Sequence, residues 1–271
     1  MRQHLSNARL RAILATTYLM LAGLSVAAIA AEPVPAVKKP QVERPTHILF
    51  IGNSYLYYGD SLHNHVRRMV VAAKIHDAKK LKYKSATIGG AALFDHNIKS
   101  YLEPGKLRVK GPFQVVILQG GSAAPLSEKR RAEFLKTVRE FDKDIKAAGG
   151  RTALYLTHAY VKPHKKFAPG MIKDIAQLYI SAANDVGALV IPVGLAFEEA
   201  YRLRPDIKLH KHYDGSHPDL IGTYLAACVV YASLYGMSPV GNPYDYYGSI
   251  DKDTATFLQK VAADTVTNFY K

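Results

Sequence analysis

Short apolar runs alternate with longer amphipathic stretches from Thr46 to the end of the chain. Five segments have the length of strands, and the apolar runs among them are continuous rather than alternating, although the segment at 83–88 is a weaker strand candidate. Continuous runs are typical of strands in a parallel sheet that is covered on both faces. The predicted strands are 47–51, 83–88, 113–118, 152–157 and 188–193.

The amphipathic stretches have apolar positions spaced as on one face of a helix. One of them begins after Ser127, a typical N-cap, and stops at Gly149 and Gly150. Because strands alternate with helices, the pattern predicts an α/β fold, a three-layer α/β/α sandwich with a central five-stranded parallel sheet. The predicted helices are 61–74, 127–148, 172–186, 220–235 and 253–269.

The N-terminal segment departs from this pattern. Arginines precede an uncharged apolar run at 12–26, and the sequence Ala-Ile-Ala at 28–30 offers the small residues that signal peptidase reads. The apolar run is shorter than the roughly 20 residues of a membrane span. We therefore expect residues 1–30 to be a cleaved signal peptide of a secreted or periplasmic bacterial protein. An uncleaved N-terminal anchor is the alternative.

Residues 31–45 contain four prolines and few large apolar side chains. This composition predicts a disordered linker. The sequence therefore divides into a signal peptide, a linker and one α/β domain at 46–271.

The chain is basic, with a formal net charge of +14. Such a charge attracts anionic envelope surfaces, although dispersed lysines also serve solubility alone. Export argues against a nucleic-acid partner. The single cysteine, Cys228, lies in an apolar run and excludes an intramolecular disulfide, so we expect a buried, inert thiol.

Polar or glycine-rich segments follow the first three predicted strands. Ser54 comes directly after the first strand, Gly89 and Gly90 close the second, and Gln119 and Ser122 follow the third. Functional groups in such sheets gather beyond the carboxyl ends of the strands. We therefore expect these segments to meet at one edge of the sheet.

A serine hydroxyl becomes a strong nucleophile only when an oriented base takes its proton. Asp214 and His217 are three residues apart in one predicted loop near the C-terminus. They supply a base and its orienting carboxylate for Ser54.

These segments resemble the four sequence blocks of the SGNH/GDSL hydrolase superfamily. That family has a serine block, a glycine block, a polar block and a C-terminal Asp-x-x-His block, and the resemblance extends over residues 47–235. A closer resemblance still is to an uncharacterised branch of secreted bacterial SGNH proteins. It implies a flavodoxin-like fold and a serine esterase that needs no metal or other cofactor.

The resemblance also implies a role for each residue. Ser54 is the expected nucleophile, His217 the base and Asp214 its partner, while the oxyanion is held by the N–H groups of Ser54 and Gly90 and by the amide of Gln119. The family's third block carries an Asn that this sequence lacks, and either Gln119 or Ser122 must replace it. We favour Gln119, because its amide donates as an Asn amide does.

The substrate expected from the resemblance is a short acyl ester. The pair Gln119-Gly120 is similar to the corresponding block of carbohydrate O-acetylesterases. O-acetyl groups on carbohydrate are therefore the first expectation, and lipid or other short-chain esters are the second. An acyltransferase would share the same triad.

A second serine lies nearby. The letters Gly-Asp-Ser-Leu at 59–62 spell the name of the GDSL group, but they lie seven residues beyond Ser54 rather than against the strand end. We interpret Ser61 as the N-cap of the following helix.

Other residues near the expected site have two interpretations each. Tyr55, Tyr57 and Tyr58 flank the nucleophile, where their rings either bind substrate or serve folding. His158 follows the fourth strand and is either a substrate contact or a structural histidine.

Two other functional classes stay open from the sequence alone. His210 and His212, together with Asp214 and His217, are a candidate metal-ligand set for a metal-dependent hydrolase. The altered third block also permits a non-catalytic envelope or carbohydrate-binding protein with the same fold.

Overall fold

A computed structural model of the protein describes residues 33–271, with one parallel sheet at their centre. The strands are β1 (His47–Gly52), β2 (Lys82–Thr87), β3 (Val115–Leu118), β4 (Arg151–Tyr155) and β5 (Leu189–Ile191). They lie in the order β2-β1-β3-β4-β5, and every neighbouring pair is parallel. The predicted five-stranded sheet is confirmed, and each of the five strands overlaps its predicted range.

Helices cover both faces of this sheet, which makes the predicted three-layer sandwich. The helices are α1 (Ser54–Tyr57), α2 (Leu62–Ala72), α3 (Ile98–Leu102), α4 (Glu128–Ala147), α5 (Met171–Val186), α6 (Val193–Leu203), α7 (Leu220–Tyr235) and α8 (Lys252–Phe269). One apolar core lies between the sheet and α2, α6, α7 and α8, and a second lies between the sheet and α3, α4 and α5.

The alternation of side chains along β1 explains why its apolar run is continuous. Ile48 and Phe50 point into the first core, whereas Leu49 and Ile51 point into the second, and all four are fully buried. A strand with one solvent-exposed face would carry polar residues at every second position.

Helix α7 is buried on all sides. All of its residues from Gly222 to Tyr235 are buried, because the helix contacts α2, α6, α8 and β5. Its predominantly apolar sequence therefore reflects a central position in the fold. Within residues 33–271 no helix has both the length and the apolar character needed to cross a bilayer.

The sequence pattern does not predict helix α6. It assigns the apolar run at 188–193 to a strand, but β5 ends at Ile191 and the helix begins at Val193, with Pro192 at its N-cap position. The apolar residues of strand and helix are contiguous because both are buried, so hydrophobicity does not mark the boundary.

Residues 33–45, the described part of the disordered linker predicted at 31–45, contain no helix or strand and run along the domain. Asn184 on α5 accepts a hydrogen bond from the Ala36 N–H (2.8 Å) and donates one to the Val34 carbonyl (2.9 Å). The predicted signal peptide lies outside the described residues.

Candidate active site

The register of the central strands brings the first three sequence blocks together. Gly52, at the end of β1, is paired with Thr87 at the end of β2, and Ile51 is paired with Leu118 at the end of β3. The loops that follow these strands therefore leave the sheet at the same edge, as expected for a parallel sheet.

Ser54 is the first residue of the short helix α1. Asn53 is its N-cap and accepts a hydrogen bond from the Tyr55 N–H (3.1 Å), while the Asn53 amide donates to the Ala91 carbonyl (2.9 Å). Asn53 thus ties the serine turn to the glycine loop, a role that the sequence did not reveal. The N–H of a residue at this helical position has no partner inside the helix and is free to face a ligand.

The structure brings Ser54, His217 and Asp214 together in one hydrogen-bonded line. The Oγ of Ser54 lies 2.8 Å from Nε2 of His217, and Nδ1 of His217 lies 2.6 Å from Oδ2 of Asp214. A carboxylate accepts only, so Nδ1 of the neutral imidazole carries the proton and Nε2 faces the serine hydroxyl as an acceptor. This is the arrangement in which histidine acts as a general base towards serine.

The second oxygen of Asp214 organises the loop around it. Oδ1 accepts the backbone N–H groups of Ser216 (2.8 Å) and His217 (3.0 Å). Burial opposes ionisation, but these hydrogen bonds and that from the His217 ring hold the pKa of Asp214 below its ordinary value. Asp214 is therefore ionised at neutral pH.

Gly215 fixes the position of this loop on the domain. Its φ of +61° lies in the left-handed region, and a Cβ there would collide with the Val161 carbonyl. The Val161 N–H also donates a hydrogen bond to the Gly215 carbonyl (2.8 Å). The Asp-x-x-His segment is thus docked against the loop that follows β4.

A pocket of about 490 Å³ opens beside Ser54 and His217. Gly90 and Ser122, two of the residues expected near the oxyanion, line it. Its other walls come from the loops after β2 and β3 and from the first turns of α4: Ala92, Leu93, Phe94, Asp95, Gly121, Ala123, Ala124, Arg130, Glu133, Phe134 and Thr137.

Gln119, the expected amide donor, is turned away from this pocket. It is only 1 % exposed, and its Oε1 accepts the Asn53 N–H (2.9 Å) while its Nε2 points to the Gly120 carbonyl. The close packing of its side chain against Gly52 holds it there. The structure therefore does not bring the Gln119 amide to the expected oxyanion position.

The two expected substrate-binding residues lie at different depths. Tyr55 lines the pocket, although its hydroxyl is engaged with Oγ of Ser216 at 2.8 Å. His158 is buried behind Tyr55, outside the pocket lining, and its Nε2 lies 2.8 Å from the Ser216 carbonyl. Of its two interpretations, the structure favours the structural one.

Ser61 occupies the N-cap position of α2 but makes no side-chain capping hydrogen bond. The predicted cap is wrong in that respect, because the backbone at Ser61 has a φ of +60° instead of the extended conformation typical of an N-cap. Ser61 is also absent from the lining of the pocket beside Ser54.

His210, one member of the candidate metal-ligand set, has other partners. His210 is buried, its Nδ1 accepts from the Tyr201 hydroxyl (2.7 Å), and its Nε2 donates to the Ala159 carbonyl (3.1 Å). Within residues 33–271 no group of three or more His, Cys, Asp or Glu side chains is arranged to hold a metal ion. Both ring nitrogens of His210 therefore serve the fold.

Comparisons with known proteins give matches in structure only. No family model matches the chain, and neither does any curated protein sequence. A DUF4886 family protein from Bacteroides uniformis is similar in fold, with a TM-score of 0.60 and 20% identity over 83% of this chain and 95% of that one.

Two further solved structures are similar in fold. A proposed SGNH hydrolase from Slackia heliotrinireducens has a TM-score of 0.56 and 23% identity over 70% of this chain and 99% of its own. The acetyl xylan esterase AlAXEase has a TM-score of 0.55 and 17% identity over 69% of this chain and 98% of its own. The chain therefore has the fold of SGNH hydrolases, and the resemblance inferred from the sequence blocks is confirmed at the level of the fold.

Proposed function

We propose that this protein is an SGNH-type serine esterase that removes short acyl groups, with O-acetyl esters of carbohydrate as the first substrate class. The observation that carries the proposal is the line of hydrogen bonds from Asp214 through His217 to Ser54, at the carboxyl edge of the sheet. The similarity in fold to an acetyl xylan esterase supports the choice of acyl group.

In the proposed reaction, His217 Nε2 takes the proton of Ser54 while Oγ attacks the ester carbonyl carbon. The tetrahedral intermediate collapses to an acyl-serine, and the proton held by His217 passes to the leaving alcohol. Water then attacks the acyl-serine with His217 again as base, which releases the acid and restores Ser54. Asp214 stabilises the imidazolium formed in each half-reaction.

The oxyanion of both intermediates needs donors beside Ser54. We assign the N–H groups of Ser54 and Gly90 to this role, and Ser122 rather than Gln119 as the third donor. Ser122 lines the pocket, whereas the amide of Gln119 is buried against Asn53 and Gly120. A hydroxyl and an amide both donate one hydrogen bond to an oxyanion.

The pocket supports a small acyl group attached to a larger alcohol. Its volume of about 490 Å³ lies within the usual range of small-molecule sites and greatly exceeds that of an acetyl group. Its lining combines apolar surface from Leu93 and Phe134 with charged groups on Arg130 and Glu133. Mixed linings of this kind suit polar alcohols such as sugars, which present both hydroxyl groups and apolar ring faces.

The first experiment measures hydrolysis of p-nitrophenyl acetate by the wild type, Ser54→Ala and the matched variant Ser61→Ala, with and without EDTA. We expect activity in the wild type and in Ser61→Ala, unaffected by EDTA, and a loss of about 10³-fold or more in Ser54→Ala. Full activity in Ser54→Ala would exclude the proposed nucleophile, and loss on addition of EDTA would favour the metal-dependent alternative.

A second experiment addresses the substrate class. We expect kcat/KM to fall from the acetyl to the octanoyl ester of p-nitrophenol, and acetate to be released from acetylated xylo-oligosaccharides. A preference for octanoyl esters without release of acetate would reassign the enzyme to lipid esters.

The predicted signal peptide makes a secreted or periplasmic location part of this proposal. Mass spectrometry of the protein from culture medium and periplasm should find a mature chain that begins near residue 31. An intact N-terminus in the membrane fraction would favour the uncleaved anchor.

A further inference from the structure

His158 is a buried histidine directly behind the candidate triad. Its ring is stacked between Tyr55 (centroids 4.3 Å apart, 20° between planes) and Phe197 (4.5 Å, 11°), and only 2 % of its surface is exposed. A phenyl ring would occupy the same stack. Packing alone therefore does not explain why this position carries an imidazole.

The hydrogen bonds of His158 fix its tautomer. Nε2 lies 2.8 Å from the Ser216 carbonyl oxygen, which only accepts, so Nε2 carries the proton. Nδ1 is buried and has no hydrogen-bond partner among the described residues. A buried ring nitrogen without a partner costs stability, and an apolar ring would avoid that cost. The bond to Ser216 is what a histidine provides here and a phenylalanine cannot.

The ring is also kept neutral. Burial first, and the neighbouring His210 second, lower the pKa of His158 well below its ordinary value. The ring of His158 therefore stays neutral, and its Nε2–H donates to Ser216, across the pH range in which an esterase works.

Ser216 transmits this contact to the triad, because it lies between Asp214 and His217 in the chain. Its N–H donates to Oδ1 of Asp214 (2.8 Å), its Oγ is bonded to the Tyr55 hydroxyl (2.8 Å), and its carbonyl accepts from His158. Each polar group of Ser216 is thus held by a different segment of the chain. A continuous series of hydrogen bonds leads from His158 through Ser216, Asp214 and His217 to Ser54.

We propose that His158 is a positioning residue, which holds the Asp214–His217 loop in register with Ser54 through its hydrogen bond to the Ser216 carbonyl. The proposal rests on the proposed function for its kinetic consequences, but its geometric consequence at His217 is independent of activity. Without His158, the buried Ser216 carbonyl loses its partner and the loop is free to shift. A displacement of about 1 Å in a catalytic group is enough to lower turnover by about a hundredfold.

The test compares His158→Phe, which keeps the stack and removes the donor, with His158→Gln, whose amide nitrogen restores a donor near the position of Nε2. Ile145→Ala is the stability control. Ile145 is fully buried at the far end of α4, where it contacts Gly150 just before β4 begins, at the opposite edge of the sheet. For each variant kcat, KM and the thermal midpoint are measured with p-nitrophenyl acetate.

We expect His158→Phe to lose about ten- to a hundredfold in kcat with little change in KM, and His158→Gln to recover most of that loss. Ile145→Ala should lower the thermal midpoint and leave kcat per folded molecule unchanged. Wild-type kcat in His158→Phe would overturn the proposal. An equal loss of kcat in His158→Phe and Ile145→Ala would overturn it as well, because the effect would then be one of general stability.

A second readout separates this proposal from the proposed function. The proton between His217 Nδ1 and Asp214 is followed by NMR as a low-field resonance in the wild type and both His158 variants. A resonance that moves or broadens in His158→Phe and returns in His158→Gln supports the positioning role even if the wild type hydrolyses no ester. An unchanged resonance in His158→Phe overturns it.

Discussion

The ring of Tyr58 lies flat against the imidazole of His217, with centroids 4.1 Å apart and planes inclined by 19°. Tyr58 is held by the serine turn itself, since its N–H donates to the Ser54 carbonyl (3.0 Å). The Tyr55 ring is nearly perpendicular to the same imidazole, with centroids 6.0 Å apart and planes inclined by 83°. Tyr55 and Tyr58 therefore help to orient the His217 ring, and Tyr55 also lines the pocket.

The first prediction concerns the Tyr58 ring. Tyr58→Ala should lower kcat by about two- to tenfold, because a stacked aromatic pair contributes about 0.5–1.5 kcal/mol beyond its buried area. Tyr58→Phe keeps the ring and should retain nearly full kcat. Steady-state kinetics with p-nitrophenyl acetate measure both. Equal losses in the two variants would assign the effect to the hydroxyl group instead of the stack.

The second prediction concerns the carboxylate of Asp214. Asp214→Asn replaces one carboxylate oxygen with an NH2 group, which donates hydrogen bonds but does not accept them. The remaining oxygen cannot accept from both the loop N–H groups and the His217 ring. The imidazole is then no longer held with its proton on Nδ1, and kcat should fall by about 10³- to 10⁴-fold. Circular dichroism checks that the variant is folded. A folded variant with a loss below about tenfold would show that Asp214 does not orient the base.

Much of the fold could be predicted because burial dictates the sequence pattern. Strands β1, β3, β4 and β5 are buried on both faces, and helix α7 is surrounded by protein, so their apolar runs reflect their positions directly. Strand β2, at one side of the sheet, is only partly buried, and its sequence pattern is correspondingly weaker. The meeting of the Ser54, Gly90 and Gln119 segments was accessible from the sequence as well, because a parallel sheet brings its strand ends to one edge. The Asp214–His217 loop lies between helices α6 and α7, and its approach to Ser54 was expected from the chemistry of a serine nucleophile and from the resemblance to SGNH hydrolases.

The remaining features depend on contacts between residues far apart in the chain. Gln119 follows its strand as predicted, but packing against Gly52 and a hydrogen bond from Asn53 turn its amide away from the pocket. Ser61 precedes a helix as predicted, yet its backbone conformation prevents the usual cap. The hydrogen bond from His158 to Ser216 spans 58 residues, and no local pattern encodes it.

The third prediction concerns Gly215. Gly215→Ala should unfold far more easily than the wild type and lose activity, because its left-handed φ and the nearby Val161 carbonyl both oppose a Cβ. Gly241→Ala is the matched control, since Gly241 also has a positive φ (+81°) but a Cβ added there would meet no atom within 4 Å. In Gly241→Ala the free energy of unfolding should fall only by the roughly 1–2 kcal/mol of the backbone strain. In Gly215→Ala it should fall by more than about 3 kcal/mol.

Thermal or urea unfolding measures both variants. Equal destabilisation would mean that the loop at Gly215 relaxes away from Val161 at little cost. In that case, retained activity in Gly215→Ala would also argue against the docking of this loop as a requirement for catalysis.

The fourth prediction concerns the pH dependence of stability. Burial lowers the pKa of His210 from 6.5 to about 4, and its neutral Nδ1 accepts a hydrogen bond from Tyr201 in the folded protein. On acidification, His210 therefore becomes protonated near pH 6.5 in the unfolded chain but only near pH 4 in the folded chain. The stability associated with this neutral histidine is fully present above pH 6.5 and is lost as the pH falls towards about 4.

For one such group the loss approaches about 3 kcal/mol across this interval. Burial also lowers the pKa of His63 to about 4, so the wild type should lose stability steeply on acidification. His210→Gln removes one of the titrating groups while retaining an amide that can donate to the Ala159 carbonyl. Urea unfolding at a series of pH values gives the free energy of unfolding as a function of pH, and the slope of this curve reports how many more protons the unfolded state binds. The slope should be shallower for His210→Gln than for the wild type, by the equivalent of up to about one proton. Parallel slopes would mean that His210 takes up its proton equally in both states, and the buried, neutral assignment of this histidine would then be wrong.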